Sequence, residues 1–142
     1  MCGLTGFWQP GGCAHDEAAE TARRMADALV HRGPDDAGVW VDASAGLALG
    51  HRRLAILDLS PAGHQPMVSD SGRYVIAFNG EIYNHRELRA ALEGVPKVTP
   101  ASADGVRRAC GASGGWRGHS DTETLLAAIE TWGIEQALQR CV

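Results

Sequence analysis

Apolar and polar positions run through the first half of the chain in two rhythms. Residues 3–8 alternate loosely, as a short half-buried strand does, and Pro10-Gly11-Gly12 close the segment. From Asp16, placed to cap a helix, the side chains of Ala18, Ala22, Met25, Ala26 and Leu29 fall on one face of a helix running to about residue 30. The run His31-Arg32-Gly33-Pro34-Asp35-Asp36 must end it, because Gly and Pro punctuate and the acids favour turns. Short strands are predicted over residues 38–41, 46–51 and 54–58, then a loop over residues 60–71 broken by Pro61, Gly63 and Pro66. An apolar strand over residues 74–78 runs into Asn79-Gly80, a pair that read alone predicts a plain hairpin turn.

The second half turns helical. Asn84 with Glu87 three residues on has the form of a capping box, opening a short helix that ends near Gly94. Residues 95–118 are rich in Gly, Ala and Ser, carry Arg107 and Arg108, and lack any period; the expectation is a mobile loop. Ser120 with Glu123 forms a second capping box. It opens a helix through about Trp132 whose buried face holds Leu125, Leu126 and Ile129. Gly133 stops it, and residues 134–142 suit one more short helix.

Composition narrows the function classes. At 142 residues with 44% apolar side chains, the chain is one domain's worth with material for a core. A net charge of −4 gives no electrostatic footprint for nucleic acid or an anionic membrane. No apolar run approaches a membrane span, and residues 1–10 lack a basic segment followed by an apolar one. A cytoplasmic setting is therefore expected. The four cysteines, Cys2, Cys13, Cys110 and Cys141, contain no C-x-x-C pair, and the six histidines never form H-x-x-x-H. Neither a metal site nor a disulfide framework is expected, and Cys110 reads as an exposed thiol.

Cys2 is the most telling residue. An aminopeptidase removes Met1 when the next residue is small, leaving a thiol and a free α-amino group on one residue. An unperturbed thiol titrates near 8.5 and an α-amino group at about 7.7–8.0, so the amine accepts the thiol proton near neutral pH. Such a residue is a nucleophile that carries its own base. Taken alone, Cys2 is better explained as a small apolar residue at the start of a strand.

Four segments change that balance: Met1-Cys2-Gly3, His31-Arg32-Gly33-Pro34-Asp35, Asn79-Gly80-Glu81-Ile82-Tyr83-Asn84-His85 and Gly118-His119-Ser120-Asp121-Thr122-Glu123. Together with His51-Arg52-Arg53-Leu54 they closely resemble the glutaminase domain of glutamine-hydrolysing asparagine synthetases, which are class II glutamine amidotransferases within the N-terminal-nucleophile hydrolases. The resemblance covers residues 2–142 apart from residues 95–116. It implies an α+β fold, a four-layer αββα sandwich; spacing by itself indicates only a mixed α and β domain.

The resemblance also implies roles. Cys2 attacks the side-chain amide of glutamine, and Asn79 and the backbone N–H of Gly80 hold the oxyanion. A backbone donor at a glycine approaches substrate without a Cβ in the way. Arg53 matches the family's carboxylate-binding arginine, a planar fork suited to a bidentate pair. Asp121, assisted by Glu81, matches the position that takes the α-ammonium, a role compatible with its place at a helix start. In an extended segment Arg52 would point away from Arg53. His31, Arg32, Asp35 and Asp36 are expected to shape the pocket wall and loop, and His51 and His85 to be structural hydrogen-bonders. No cofactor is expected for the glutaminase step; ATP and Mg belong to the synthetase domain of the family.

Departures from the family set the remaining expectations. The synthetase half has no counterpart before Val142, and the family's first domain continues into further strands, so an N-terminal part or a truncated product, incomplete at its C-terminal end, is expected. Residues 95–116 are longer and more Gly-rich than the family pattern. Ser113-Gly114-Gly115 lacks both the preceding apolar strand and the Asp-Ser of a pyrophosphate loop and is rejected as a nucleotide site. The expected partners are glutamine and a synthetase domain or partner chain that supplies the ammonia acceptor, with homo-oligomerisation left open. The alternatives are an inactive remnant or interaction module, and an amidotransferase serving another acceptor such as a sugar or cell-envelope intermediate.

Overall fold

The computed structural model describes residues 1–56, 59–94 and 116–142. The expected mobile loop over residues 95–118 therefore lies largely outside the described residues, as do Arg107, Arg108, Cys110 and Ser113-Gly114-Gly115. Helices and strands are both present, as the sequence pattern requires. The chain divides into two compact units, residues 1–67 with 76–80 and residues 68–75 with 81–142.

The first unit is a three-stranded antiparallel sheet with a helix on one face. Strand β1 (Gly3–Trp8) and strand β2 (Asp36–Asp42) flank β3 (Leu47–Arg53), giving the order β1-β3-β2. Helix α1 (His15–Asp27) lays Ala18 and Ala22 against Ala48, with Phe7, Val39 and Val41 packed around them. The seam is built from small residues, so helix and sheet approach closely. A Cβ on Gly50 would stand 3.0 Å from the Ala22 carbonyl oxygen and 3.3 Å from the Ala26 Cβ.

Two expected boundaries move for physical reasons. Helix α1 ends at Asp27, short of residue 30, because the chain tightens into i to i+3 bonds. Leu29, Val30, Arg32 and Gly33 each donate to the carbonyl three residues back. Its N-cap is Ala14 with no side-chain bond, and Asp16 stands in the first turn instead. The strand expected over residues 54–58 does not form at residues 54–56. There the Leu54 N–H donates to Cys2 Sγ and the Ala55 N–H to an Asp35 carboxylate oxygen, so both donors are withdrawn from any ladder.

Residues 60–71 contain a short 3₁₀ turn, Pro61–Gly63, capped by the Ser60 hydroxyl accepting from the Ala62 N–H. Strand β4 (Met67–Val68) pairs with β5 (Val75–Ile76), two residues each, so the expected strand over 74–78 is cut to its middle.

The second unit is helical. Helices α2 (His85–Glu93), α3 (Asp121–Trp132) and α4 (Ile134–Arg140) pack Leu88, Leu92, Leu125, Leu126, Ile129 and Ala137 out of water. Gly133 joins α3 to α4 at φ 81°, a left-handed conformation that only glycine takes without strain.

Both expected capping boxes change form. Ser120 does cap α3, accepting from the Thr122 N–H at 3.2 Å, but Glu123 reaches further back, to the N–H groups of Arg117 (2.8 Å) and Gly118 (3.1 Å). Asn84 makes no cap bond to α2. Its amide instead donates to the Arg140 carbonyl at 2.8 Å and accepts from the Val142 N–H at 3.0 Å. Among the described residues, no helix is long and apolar enough to cross a membrane.

Candidate active site

Period-two alternation along β3 sorts its side chains. Ala48 and Gly50 meet α1, whereas His51 and Arg53 are buried at alternate positions on the opposite face. Arg52 goes with the α1 side, donating to the Gly33 carbonyl at 3.1 Å and standing 3.5 Å from Asp27. The two adjacent arginines thus part, as the extended segment requires.

Cys2 sits just before β1. The β1–β3 register pairs Gly3 with Arg52, so the next position outward brings Cys2 alongside Arg53 and Leu54. Its half-buried Sγ lies 3.4 Å from the Leu54 N–H and 3.7 Å from the Leu54 carbonyl oxygen. Arg32 fixes the same residue from its backbone side, with Nε donating to the Cys2 carbonyl at 3.2 Å. Met1 is exposed.

Arg53 is 8% exposed, and its Nη1 donates to the Ser60 carbonyl at 2.9 Å. Gly63 is packed flat on the guanidinium, where any Cβ would overlap it. The guanidinium borders a cleft of about 410 Å³ lined also by Asp35, Asp36, Leu59, Ser60, Pro61 and His64. His64 stands 2.8 Å from Asp36. Asp35 and Asp36 therefore line this cleft, and Arg32 is a brace for Cys2.

Asn79 and Gly80 do not form a two-residue hairpin turn. That turn requires positive φ, and neither residue has it. They leave β5 as an irregular, exposed segment, and neither the Asn79 amide nor the Gly80 N–H has a hydrogen-bond partner among the described residues. His51, 1% exposed, lies below: its Nε2 is 3.3 Å from the Phe78 carbonyl oxygen. A carbonyl only accepts, so Nε2 carries the proton and Nδ1 is the bare nitrogen. Nδ1 is buried with no partner among the described residues. Burial lowers the His51 pKa, opposed by the Phe78 carbonyl and Asp36 and assisted by His64 and Arg53. The ring is neutral at pH 7.

Glu81 and Asp121 belong to the second unit. Asp121 is buried at the start of α3, and its Oδ2 accepts from the Ile82 N–H at 2.8 Å, tying down the residue after Glu81. Glu81 is exposed. His85 Nδ1 lies 3.1 Å from the Ile82 carbonyl oxygen, a structural bond like that of His51. The stretch before Asp121 is held by Arg89, which donates to the carbonyls of Gly118 and Ser120 and to Thr124 Oγ1, and stacks on the Trp116 ring. Among the described residues, no three His, Cys, Asp or Glu side chains come together as a metal site would need.

Over residues 1–142 the chain matches the family described as glutamine amidotransferase domain. It belongs to that family. Within this glutamine amidotransferase family, the chain is 40% identical, over 99% of its length, to a protein of Mycobacterium bovis named putative asparagine synthetase [glutamine-hydrolyzing], of which it covers 20%. It is 42% identical, over 96% of its length, to asparagine synthetase [glutamine-hydrolyzing] 1 of Bacillus subtilis, covering 19% of that protein. A third relative, amidase chry2 of Gibberella zeae, is 29% identical over 94% of the chain, which covers 18% of it. The chain thus spans about a fifth of the length of these curated relatives.

Membership bears out the resemblance that the short motifs carried. Sequence reasoning missed Gln65 and Arg89. Gln65 sits in a loop without period, and Arg89 reads as an ordinary helix-surface charge; neither carries a sequence signal.

Proposed function

We propose that this amidotransferase domain hydrolyses glutamine to glutamate and ammonia through a thioester on Cys2. The observation that carries the proposal is Cys2 Sγ at the head of β1, next in register to a buried arginine, in a chain of this family. After loss of Met1, the α-amine takes the thiol proton while Sγ bonds to the amide carbon. The resulting oxyanion is assigned to the Asn79 amide and the Gly80 N–H, whose donors are unengaged among the described residues, in support of that role. Collapse breaks the carbon–nitrogen bond, and the amine returns its proton to the departing ammonia. Water then attacks the thioester, releasing glutamate and restoring the thiol.

Arg53 is assigned to the α-carboxylate of glutamine. Its support is a guanidinium held by Ser60 and bordering the cleft. Asp121, with Glu81, is assigned to the α-ammonium on the motif that they share with the family. Transfer of the ammonia to aspartate, with ATP and Mg, is proposed for a synthetase domain or partner chain by likeness to the named relatives. Helix α1 packed on one face of the sheet supports the outer half of a four-layer αββα sandwich, and we extend the proposal to that fold and to a cytoplasmic setting.

Intact mass, ammonia release and labelling by a glutamine-mimicking thiol alkylator, measured on one preparation, test the reading. Mass lower by one Met, turnover, and a single adduct on Cys2 are expected. A verified Cys2→Ala chain releasing glutamate at the wild-type rate would sink it.

A further inference from the structure

The segment carrying Asn79 and Gly80 has no strand ladder to hold it, yet its geometry is fixed from one residue upstream. Phe78 is gripped on both of its peptide groups. Its N–H donates to Gln65 Oε1 at 2.6 Å, and its carbonyl accepts from His51 Nε2 at 3.3 Å. Gln65 is 6% exposed and His51 1%, so neither bond competes with bulk water. The grip extends forward through the ring: a Cβ on Gly80 would stand 2.5 Å from Phe78 Cζ, so the ring lies directly against the glycine backbone.

Both clamping side chains trace to one rung of the sheet. Gly38 and His51 are ladder partners between β2 and β3. The Gln65 carbonyl oxygen rests on Gly38, where any Cβ would overlap it. Among the described residues the buried Nδ1 of His51 has no partner, so the imidazole meets only one of its two polar demands there, and that one is Phe78.

We propose that His51 and Gln65 are positioning residues that aim the oxyanion-binding donors by clamping the Phe78 peptide; this rests on the glutaminase reading of Asn79 and Gly80. Neither side chain touches the reacting atoms in this scheme. A misplaced donor loses transition-state contact while substrate binding through Arg53 persists, so the effect falls on kcat and spares KM.

The test uses His51→Leu, Gln65→Leu and the conservative His51→Gln, whose Nε2 can still donate to the Phe78 carbonyl, in the full chain with Met1 removed. Each leucine variant is expected to lower kcat for glutamine on the order of 10²-fold. KM and the rate of Cys2 alkylation by iodoacetamide should stay within about twofold of wild type, because neither depends on the oxyanion donors. His51→Gln should recover most of the loss. Unchanged kcat in both leucine variants overturns the proposal, as does a kcat loss matched by an equal loss of alkylation.

A second readout needs no turnover, and its wild-type arm stands even where a leucine variant fails to fold. Hydrogen exchange of the Phe78 amide should be slow in wild type and at least tenfold faster in Gln65→Leu or Gln65→Ala. A freely exchanging Phe78 amide in the wild-type chain overturns the clamp. A protected Phe78 amide in a chain that cannot hydrolyse glutamine upholds the clamp and overturns the glutaminase reading instead.

Discussion

The two units build their cores from different side chains and hold different kinds of backbone with their buried polar groups. In the first, the apolar seam is made of alanines and a glycine, while buried polar side chains hold backbone groups outside any helix or strand ladder: Gln65 and His51 on Phe78, Arg53 on Ser60. In the second, leucines form the core, and buried carboxylates at the start of α3 hold the backbone that leads into α2 and α3, Glu123 on Arg117 and Gly118 and Asp121 on Ile82. Polarity in the first unit holds the irregular backbone on which the proposed site is built; in the second it fixes the approach to the helices, with Ser120 capping α3. Substitutions of the polar side chains that hold Phe78 should therefore show mainly in chemistry, and those of Glu123 and Ser120 mainly in stability.

Cys2→Ala should have the largest effect, reducing ammonia release below detection while the melting temperature stays near wild type; a large melting shift would mean that the thiol is structural. Glu123→Ala comes next. It strips two backbone N–H groups and the 3.5 Å pairing with Arg89 from a buried site, with an expected loss of about 3 kcal/mol in denaturant unfolding. Arg89 keeps its carbonyl and Thr124 partners, which holds the loss at the low end of the range for broken buried pairs. Gly50→Val probes the alanine seam: the added isopropyl group against Ala22 and Ala26 should destabilise by about 1–3 kcal/mol through overpacking. Ser120→Ala removes one cap bond and should cost about 1 kcal/mol.

The smallest effect is a pH slope. His51 has a lowered pKa in the folded chain, so between the folded value and the ordinary one near 6.5 the unfolded chain binds more protons. Stability is then fully present above about pH 6.5 and declines as pH falls below it. The decline should be shallower in His51→Gln by the contribution of a single proton; equal slopes would show that the ring is not protected from charging.

Some of this was legible in the chain and some was not, for local reasons. Helix α3 was, because Ser120 and the spacing of Leu125, Leu126 and Ile129 all act within a few residues. So was the parting of Arg52 from Arg53, since a period of two leaves no choice once the segment is extended. The candidate site residues were recognisable from short motifs, and the family match bears out the resemblance behind them, while their individual roles stand as proposals. What could not be read was long-range use of polar groups. Asn84 has the form of a cap yet spends its amide on Arg140 and Val142, and a strand expected through residue 58 loses its donors to Cys2 and Asp35. Gln65 has no local pattern at all; only the fold carries it to Phe78.

The pairing of Gly38 with His51 has one more consequence. A rung of an antiparallel ladder is a counting device, and under the proposed clamp the count is translated into the aim of two hydrogen-bond donors further along the chain. A slip of β2 against β3 would keep the number of strand residues and much of the spectroscopic signature of a sheet, yet carry the shelf beneath Gln65 off its opposite number. On the proposed glutaminase reading, fidelity of strand alignment during folding is also fidelity of the chemistry, and a misaligned chain would betray itself by silence towards glutamine before it betrayed itself by melting.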